Sequence, residues 1–295
     1  MEETALSDDF TAFLDNKIDR TAFIVNYLES RGLPVTVINL KGKKHIYLNF
    51  DSRQYNGLFR LKTLIAHYDR VPDSPGANDN SFAVFTMMNW ALHLNEQGIQ
   101  HNIRIIFTDG EENAPGSDIK NQGAYELGFS LKKNTSAVDY YVFDCMGRGT
   151  IPVLAKPPVL KKASLSFKKS YNALFHRSEE ILQKALPGSW VTLPVSWSDN
   201  AGLTAQGLPS VLITMLPKEE ASFYMLNLTK NPELENFVIN HEITAGDTKS
   251  HLNALLPKTW LFLHSDYDCK ESITYESTAC FERILNAIAL SKTPS

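Results

Sequence analysis

Four short apolar runs, separated by longer helical patterns, decide the fold class of this chain. They are Leu61 to Ala66 and the runs within residues 103 to 112, 139 to 147 and 209 to 216. Each run is short, mostly apolar and followed by turn-forming or polar residues, as is typical of a buried strand. A long pattern with a broad apolar side, residues 80 to 97, predicts a helix that packs on the sheet. The alternation predicts an α/β fold.

Three of the four runs end in side chains that can bind a metal. The groups at these ends are His67, Asp69, Asp109, Glu111, Glu112 and Asp144. Any one of them alone is explained as a solvated turn residue, but acids beside core strands are costly unless they are paired or bound to a cation. Parallel neighbouring strands bring their carboxyl ends to one edge of a sheet. The repetition therefore predicts a convergent site.

The turn after the first run supplies a further carboxylate. Ser74, Pro75 and Gly76 reverse the chain direction and bring Asp79 towards His67. Imidazole and carboxylate ligands suit Zn²⁺ or a similar divalent ion. Another apolar run, beginning at Trp260, ends in His264, which repeats the placement of His67 at a strand end.

Two histidines, one bridging aspartate and one further carboxylate for each ion would form a two-zinc site. Zinc ions in such pairs lie roughly 3.5 to 4 Å apart and leave positions open for water and substrate. Glu111 cannot easily share a metal with its neighbour Glu112, because adjacent side chains point apart on an extended backbone. Glu111 is therefore predicted to be the general base. Asp69 is predicted to hold the imidazole of His67.

The remaining segments give a coarse outline of the chain as a single domain. Residues 188 to 211 are rich in turns, and Ser198-Asp199-Asn200 is interpreted as a capped loop, with a pocket lining as the alternative. Residues 217 to 260 are polar and are predicted to be an insertion or lid. The other predicted elements are helices at residues 8 to 31, 171 to 186 and 272 to 290, and a hairpin formed by residues 35 to 40 and 44 to 50.

Charge and composition exclude several classes of partner. The 295 residues carry a formal net charge of -4 and no block rich in lysine and arginine, which argues against nucleic acid and anionic membranes as partners. No apolar run is long enough to span a bilayer. The acidic N-terminus, MEETALSDDF, lacks the features of a signal peptide, so a cytoplasmic protein is predicted. Three widely spaced cysteines do not form a disulfide framework: Cys145, Cys269 and Cys280.

The ordered set HYDRVPDSPGANDN, DGEE, FDCMG and HSDYDC resembles the M28 family of zinc aminopeptidases. The resemblance covers roughly residues 8 to 216 and 260 to 291. It implies a three-layer fold in which helices sandwich a mixed, mainly parallel sheet. It also implies that Asp79 bridges two zinc ions, with His67 and Asp144 completing one site and Glu112 and His264 the other. Glu111 matches the catalytic carboxylate of the family, and Asp69 matches the acid beside the first histidine.

Two departures from the family pattern concern the last histidine. The long segment before it contains His241 and His251 as competitors, and the run HEITAGDT, which starts at His241, imitates the terminal motif. His264 is preferred because Asp268 stands four residues after it, as the pattern requires, and a predicted amphipathic helix follows. Cys269 replaces the hydroxyl residue that is usual after that aspartate.

These observations favour a metal-dependent aminopeptidase that removes N-terminal residues from peptides or aminoacyl compounds through water activated by two zinc ions. An alternative on the same fold is a transferase resembling glutaminyl cyclase, which uses one zinc and an intramolecular amine nucleophile. A deacylase of N-acyl amino acids is a further alternative. A non-catalytic binding protein would be expected to have lost a ligand or Glu111, and neither is missing.

Overall fold

One twisted sheet forms the centre of the fold. The computed structural model describes residues 7–113, 117–133, 137–157, 163–240 and 247–295. The strands in these ranges are β1 Val35–Leu40, β2 Lys43–Leu48, β3 Leu61–His67, β4 Ile103–Thr108, β5 Val138–Phe143, β6 Ile151–Ala155, β7 Val191–Leu193 and β8 Ser210–Leu216. Their spatial order is β1-β2-β4-β3-β5-β8-β6-β7, and β4, β3, β5 and β8 are mutually parallel. The antiparallel pairings lie towards the two sides of this group, so the sheet is mixed and mainly parallel.

Helices cover both faces of the sheet. They are α1 Asp8–Phe13, α2 Arg20–Glu29, α3 Phe82–Gln97, α4 Gly123–Leu131, α5 Leu165–Ala185, α6 Asn200–Ala205, α7 Lys218–Lys230, α8 Glu233–Asn240, α9 Asp247–Asn253, α10 Lys258–Phe262 and α11 Ser277–Leu290. No helix in the described part of the chain has both the length and the apolarity that a bilayer crossing requires.

The core consists of separate apolar clusters on the two sheet faces. Leu64 of β3 belongs to the larger cluster with α1, α2, α3, α5 and α11. The next residue, Ile65, belongs to the opposite cluster with Leu127 of α4 and Leu203 of α6. This alternation follows from the two-residue period of a strand, which turns successive side chains to opposite faces. The result is the predicted three-layer helix, sheet and helix arrangement.

The described residues of the segment 217 to 260 are mostly helical. They form α7, α8, α9 and the start of α10, and their apolar side chains form a third cluster with the sheet edge. Tyr224 of α7 is fully buried in this cluster, together with Leu234 of α8 and Val153 of β6. The role of the segment as an insertion or lid stays a prediction.

Several local features of the structure differ from those expected from the sequence. The helix predicted for residues 8 to 31 is divided into α1 and α2, because the Asp19 side chain accepts from the backbone N–H of Ala22 and starts a new helix. The short strands β6 and β7 were not predicted. The apolar run before His264 is not a strand, because α10 starts after Pro257 and ends at Phe262. His264 follows in a turn with a φ of 60°.

Candidate metal centre

The parallel strands bring the predicted groups to one edge of the sheet. His67 is the last residue of β3, and its register partner on β4 is Thr108. Glu111 and Glu112 follow the end of β4, and Asp144 follows the end of β5 on the other side of β3. The prediction that these strand ends converge is confirmed by the backbone arrangement.

A tight turn after β3 places Asp79 beside His67. Gly76 has a φ of 60°, and a Cβ there would lie 2.7 Å from the backbone oxygen of Asp79, so only glycine fits. The Asn80 side chain donates to the backbone oxygen of Phe143 at 2.8 Å. The Asp268 carboxylate accepts from the backbone N–H groups of Asn78 and Asp79, at 2.7 and 3.0 Å. These contacts fix Asp79 against the end of β5.

Asp79 is shared between two groups of side chains. Its Oδ1 lies 3.1 Å from His67 Nε2, and the same nitrogen lies 3.6 Å from Asp144 Oδ1. Its Oδ2 lies 3.2 Å from His264 Nε2, which is also 3.2 Å from Glu112 Oε2. Each group of three offers one ligand atom per residue within the spread that a metal ion can bridge. The five predicted ligands are therefore all brought together.

The environment of these side chains is compatible with a bound cation. Burial alone would lower the pKa of His67, but the Asp144, Asp69 and Asp79 carboxylates raise it well above its usual value. Burial raises the pKa of Glu112, and Asp79 raises it further. His67 is almost completely buried, yet neither of its ring nitrogens has a hydrogen-bond partner. Imidazole nitrogens and carboxylate oxygens are ligands that zinc prefers, so the residues fit the ion.

Asp69 contacts both His67 and the backbone of the two glutamates. Its Oδ1 lies 3.5 Å from His67 Nδ1, as expected for an acid that orients the imidazole. Its two oxygens also accept from the backbone N–H groups of Glu111 and Glu112, at 3.3 and 3.0 Å. This second contact was not predicted from the sequence. Asp69 therefore connects the end of β3 to the loop after β4.

Glu111 is half-buried and lies beside His67 and Glu112. Burial raises its pKa well above the usual value for a glutamate. The Gln122 side chain donates to Glu111 Oε1 at 3.3 Å and accepts from the backbone N–H of Gly202 at 3.0 Å. The second contact fixes which end of the Gln122 amide faces Glu111. No sequence motif identifies Gln122 as part of the site, since its partners Glu111 and Gly202 are distant from it in the sequence.

His241 and His251 were the alternatives to His264 as the last histidine ligand. His241 lies outside the described residues. His251 is exposed on α9 and belongs to none of the histidine and carboxylate groups found in the described ranges. His264, in contrast, contacts both Asp79 and Glu112. The preference for His264 over His251 therefore agrees with the geometry.

Asp199 is a fully buried carboxyl group beside Thr108, the register partner of His67. Its Oδ2 accepts from the Thr108 hydroxyl, while its Oδ1 has no hydrogen-bond partner among the described residues. Burial raises its pKa from 3.8 to about 7. The sequence pattern was interpreted as a capped loop, but the Asp199 side chain makes no capping hydrogen bond to α6. A side chain with this environment opposes folding when it ionises.

We expect Asp199→Asn to stabilise the metal-free protein more at pH 8 than at pH 5. The unfolded carboxyl ionises near pH 3.8 and the folded one near 7, so the penalty grows with pH between these values and is complete above them. The gain in unfolding free energy at pH 8 is on the order of a few kcal/mol. Urea unfolding with a chelator at both pH values measures it. An equal effect at the two pH values would contradict the assignment.

Solved structures with the same fold include enzymes of two kinds. LapB from Legionella pneumophila is 12% identical, with 98% of this chain and 73% of that chain covered at a TM-score of 0.64. A glutaminyl cyclase from Bacteroides thetaiotaomicron is 15% identical, with 99% and 98% covered, also at 0.64. BSAP, a zinc aminopeptidase from Bacillus subtilis, is 16% identical, with 83% of this chain and 48% of that chain covered at a TM-score of 0.51. The chain thus spans about half the length of BSAP, and all these likenesses concern the fold.

Sequence comparison identifies the family directly. No curated protein matches the chain by sequence. The family model described as peptidase family M28 matches residues 60 to 282, a range that begins just before β3 and includes the ends of β3, β4 and β5 and His264. Because this match covers well over half of the sequence, the chain belongs to peptidase family M28, a family of zinc metallopeptidases.

Proposed function

We propose that the chain is an aminopeptidase that uses two zinc ions. The substrate would be a peptide or an aminoacyl compound with a free N-terminus, and the reaction the hydrolysis of its first amide bond. Asp79 would bridge the ions, with His67 and Asp144 on one side and Glu112 and His264 on the other. Glu111 would be the general base.

One observation carries this proposal: the two oxygens of Asp79 face two different imidazoles. His67 approaches Oδ1 and His264 approaches Oδ2, at nearly equal distances. A carboxylate that served a single ion would need only one histidine at its oxygens. The further carboxylates, Asp144 and Glu112, lie on opposite sides of the shared one. This symmetry supports two ions in one centre.

Zinc held by these residues would polarise the scissile carbonyl and activate water near neutral pH. Glu111 would take the proton of the attacking water and pass it to the leaving nitrogen. Its raised pKa suits this work, because a base must also give the proton back near the working pH. Gln122 donates to Oε1 of Glu111, and among the described residues no hydrogen bond to Oε2 competes with the proton.

Asp69 would hold His67, Glu111 and Glu112 in fixed positions relative to one another. Its contact with Nδ1 of His67 leaves Nε2 to face Asp79 and Asp144. Its contacts with the backbone of Glu111 and Glu112 keep the proposed base and the proposed ligand at a fixed distance from β3. Such contacts with the neighbours of a metal ligand typically change metal affinity or activity about 10- to 100-fold when removed.

A second candidate is an aminoacyl transfer like that of glutaminyl cyclases. The observation that favours it is likeness of fold, because glutaminyl cyclases are among the solved structures with this fold, one of them at a TM-score of 0.64. Such a reaction would need one zinc and an amine nucleophile from the substrate itself. The five side chains in the centre are compatible with either count of ions.

Product analysis on protein of measured metal content decides between the candidates. We expect about two zinc ions per chain and release of free amino acids from a panel of aminoacyl amides. Release of ammonia from an N-terminal glutaminyl peptide, with one tightly bound zinc, would instead support cyclisation. Hydrolysis of N-acyl amino acids alone would support a deacylase. Removal of the metal with a chelator should abolish turnover, and added zinc should restore it.

A further inference from the structure

His264 is supported differently from the other proposed ligands. Its side chain is 56% exposed, whereas those of His67, Asp79, Glu112 and Asp144 are at most 16% exposed. It lies on a turn, and its backbone φ of 60° is in the left-handed region, which residues other than glycine rarely adopt. The position of this imidazole must therefore be fixed by the residues before and after it.

The chain after His264 is tied to the loop that carries Asp79. The Ser74 hydroxyl donates to the backbone oxygen of Ser265 at 3.2 Å. Asp268 accepts from two backbone N–H groups in the Asp79 loop, as described above. This side of His264 is thus attached to the same turn as the bridging carboxylate.

Arg148 supports the chain before His264. Its guanidinium carbon lies 4.8 Å from the ring centre of Phe262, two residues before the histidine. Its Nε donates to the Thr259 hydroxyl at 3.1 Å, and its Nη1 donates to the backbone oxygen of Ser272 at 2.8 Å. Arg148 therefore contacts the chain on both sides of His264.

The backbone around Arg148 is hydrogen-bonded to other loops of the metal centre. Arg148 lies in the turn that follows Asp144, and the neighbouring Gly147 donates its N–H to the Asn78 side chain at 2.7 Å. Thr274 pairs with this turn through its N–H and its hydroxyl. The turn is thus joined both to the Asp79 loop and to the segment after His264.

Glu220 of α7 neutralises Arg148. Its Oε1 lies 3.8 Å from Arg148 Nη2, and its Oε2 accepts from the backbone N–H of Thr259 at 2.8 Å. Both side chains are mostly buried, with 13% and 17% exposed. The pair connects α7 and the start of α10 to the turn after Asp144. A guanidinium is suited to this place because it donates in several directions and stacks on an aromatic ring at once.

We infer that Arg148 is a positioning residue that sets the affinity of the metal ion held by His264. It does so by keeping α10 and the turn after it at the distance from Asp144 and Asp79 at which His264 can coordinate. The inference rests on the metal site of the proposed function, but not on the reaction carried out there.

The first test is zinc titration of the metal-free Arg148→Met variant. We expect the ion of Asp79, Glu112 and His264 to bind about 10- to 100-fold more weakly, and the ion of His67 and Asp144 to change less than about threefold. Arg60→Met is the matched control, because Arg60 is a partly buried arginine whose partner Asp139 retains Arg177. It should leave both affinities unchanged.

Double variants show whether Arg148 acts through His264. In the His264→Ala background, Arg148→Met should cause no further loss of affinity at the remaining ion. In the His67→Ala background it should weaken the remaining ion as it does alone. Equal weakening of both ions, unchanged affinities, or an additive loss in the His264→Ala background would each overturn the inference.

Arg148→Lys gives a second measurement if the methionine variant does not fold. Lysine keeps the charge beside Glu220 but lacks the planar fork that donates to Thr259 and Ser272 together. We expect a smaller loss of the same ion, and an unchanged affinity would contradict the inference. If the unaltered protein binds one zinc, the two-ion function fails, but the effect of Arg148 remains measurable on that single ion through its dependence on His264.

Discussion

Glu111→Gln should lower kcat by roughly 10²- to 10⁴-fold while the protein keeps its full zinc content. Glutamine has nearly the same shape and still accepts from the Gln122 side chain, so the position of residue 111 should not change. What it loses is the ability to accept and return a proton. Steady-state kinetics on an aminoacyl amide, together with metal analysis of the same sample, measures both properties.

The metal analysis is essential, because Glu111 also lies close to possible ligand atoms of His67 and Glu112. A loss of one zinc ion in the variant would show that Glu111 is a ligand rather than the base. Turnover equal to that of the unaltered protein would exclude it from proton transfer. Glu126→Gln is a suitable control, because Glu126 is a glutamate on α4 that pairs with Lys41 instead of the metal centre. It should leave kcat unchanged.

The strand ends could be predicted from the sequence because their determinants are local. A short apolar run followed by turn residues indicates both a buried strand and its end, and His67, Glu112 and Asp144 were located in this way. The parallel order of β4, β3 and β5 then brings these residues together. The general arrangement of the centre therefore follows from the pattern of each run and from the rule that parallel strands share an edge.

The parts that could not be predicted depend on contacts between distant residues. His264 was expected at a strand end, but the apolar run before it forms α10, whose first turn donates a backbone N–H to Glu220. Gln122 and Arg148 have no local pattern, since their roles arise only when separate loops meet. Asp199 was interpreted as part of a capped loop because a short polar side chain before a helix usually caps it. Its burial against Thr108 is a property of the packed fold.

Asp79→Asn should weaken the binding of both zinc ions, in contrast to changes at the other carboxylates. Asp79 is the residue that both ligand groups share, so Asn at this position removes a negative charge from both groups and leaves one ligand oxygen in place of two. We expect each affinity to fall by at least about 100-fold, above the range typical of residues that only contact a ligand. Asp144→Asn should weaken one ion and Glu112→Gln the other. Zinc titration of the metal-free variants separates these patterns.

The control must remove a negative charge from the same sheet edge without removing a ligand. Asp109→Asn does this, because Asp109 follows β4 but its carboxylate accepts from the backbone N–H of Lys44. If charge alone held the ions, Asp109→Asn would weaken them nearly as much as Asp79→Asn. If Asp79 bridges the ions, only Asp79→Asn affects both. An Asp79→Asn protein that retained two ions at full affinity would show that Asp79 does not bridge them, and the two-zinc proposal would then lose its geometric basis.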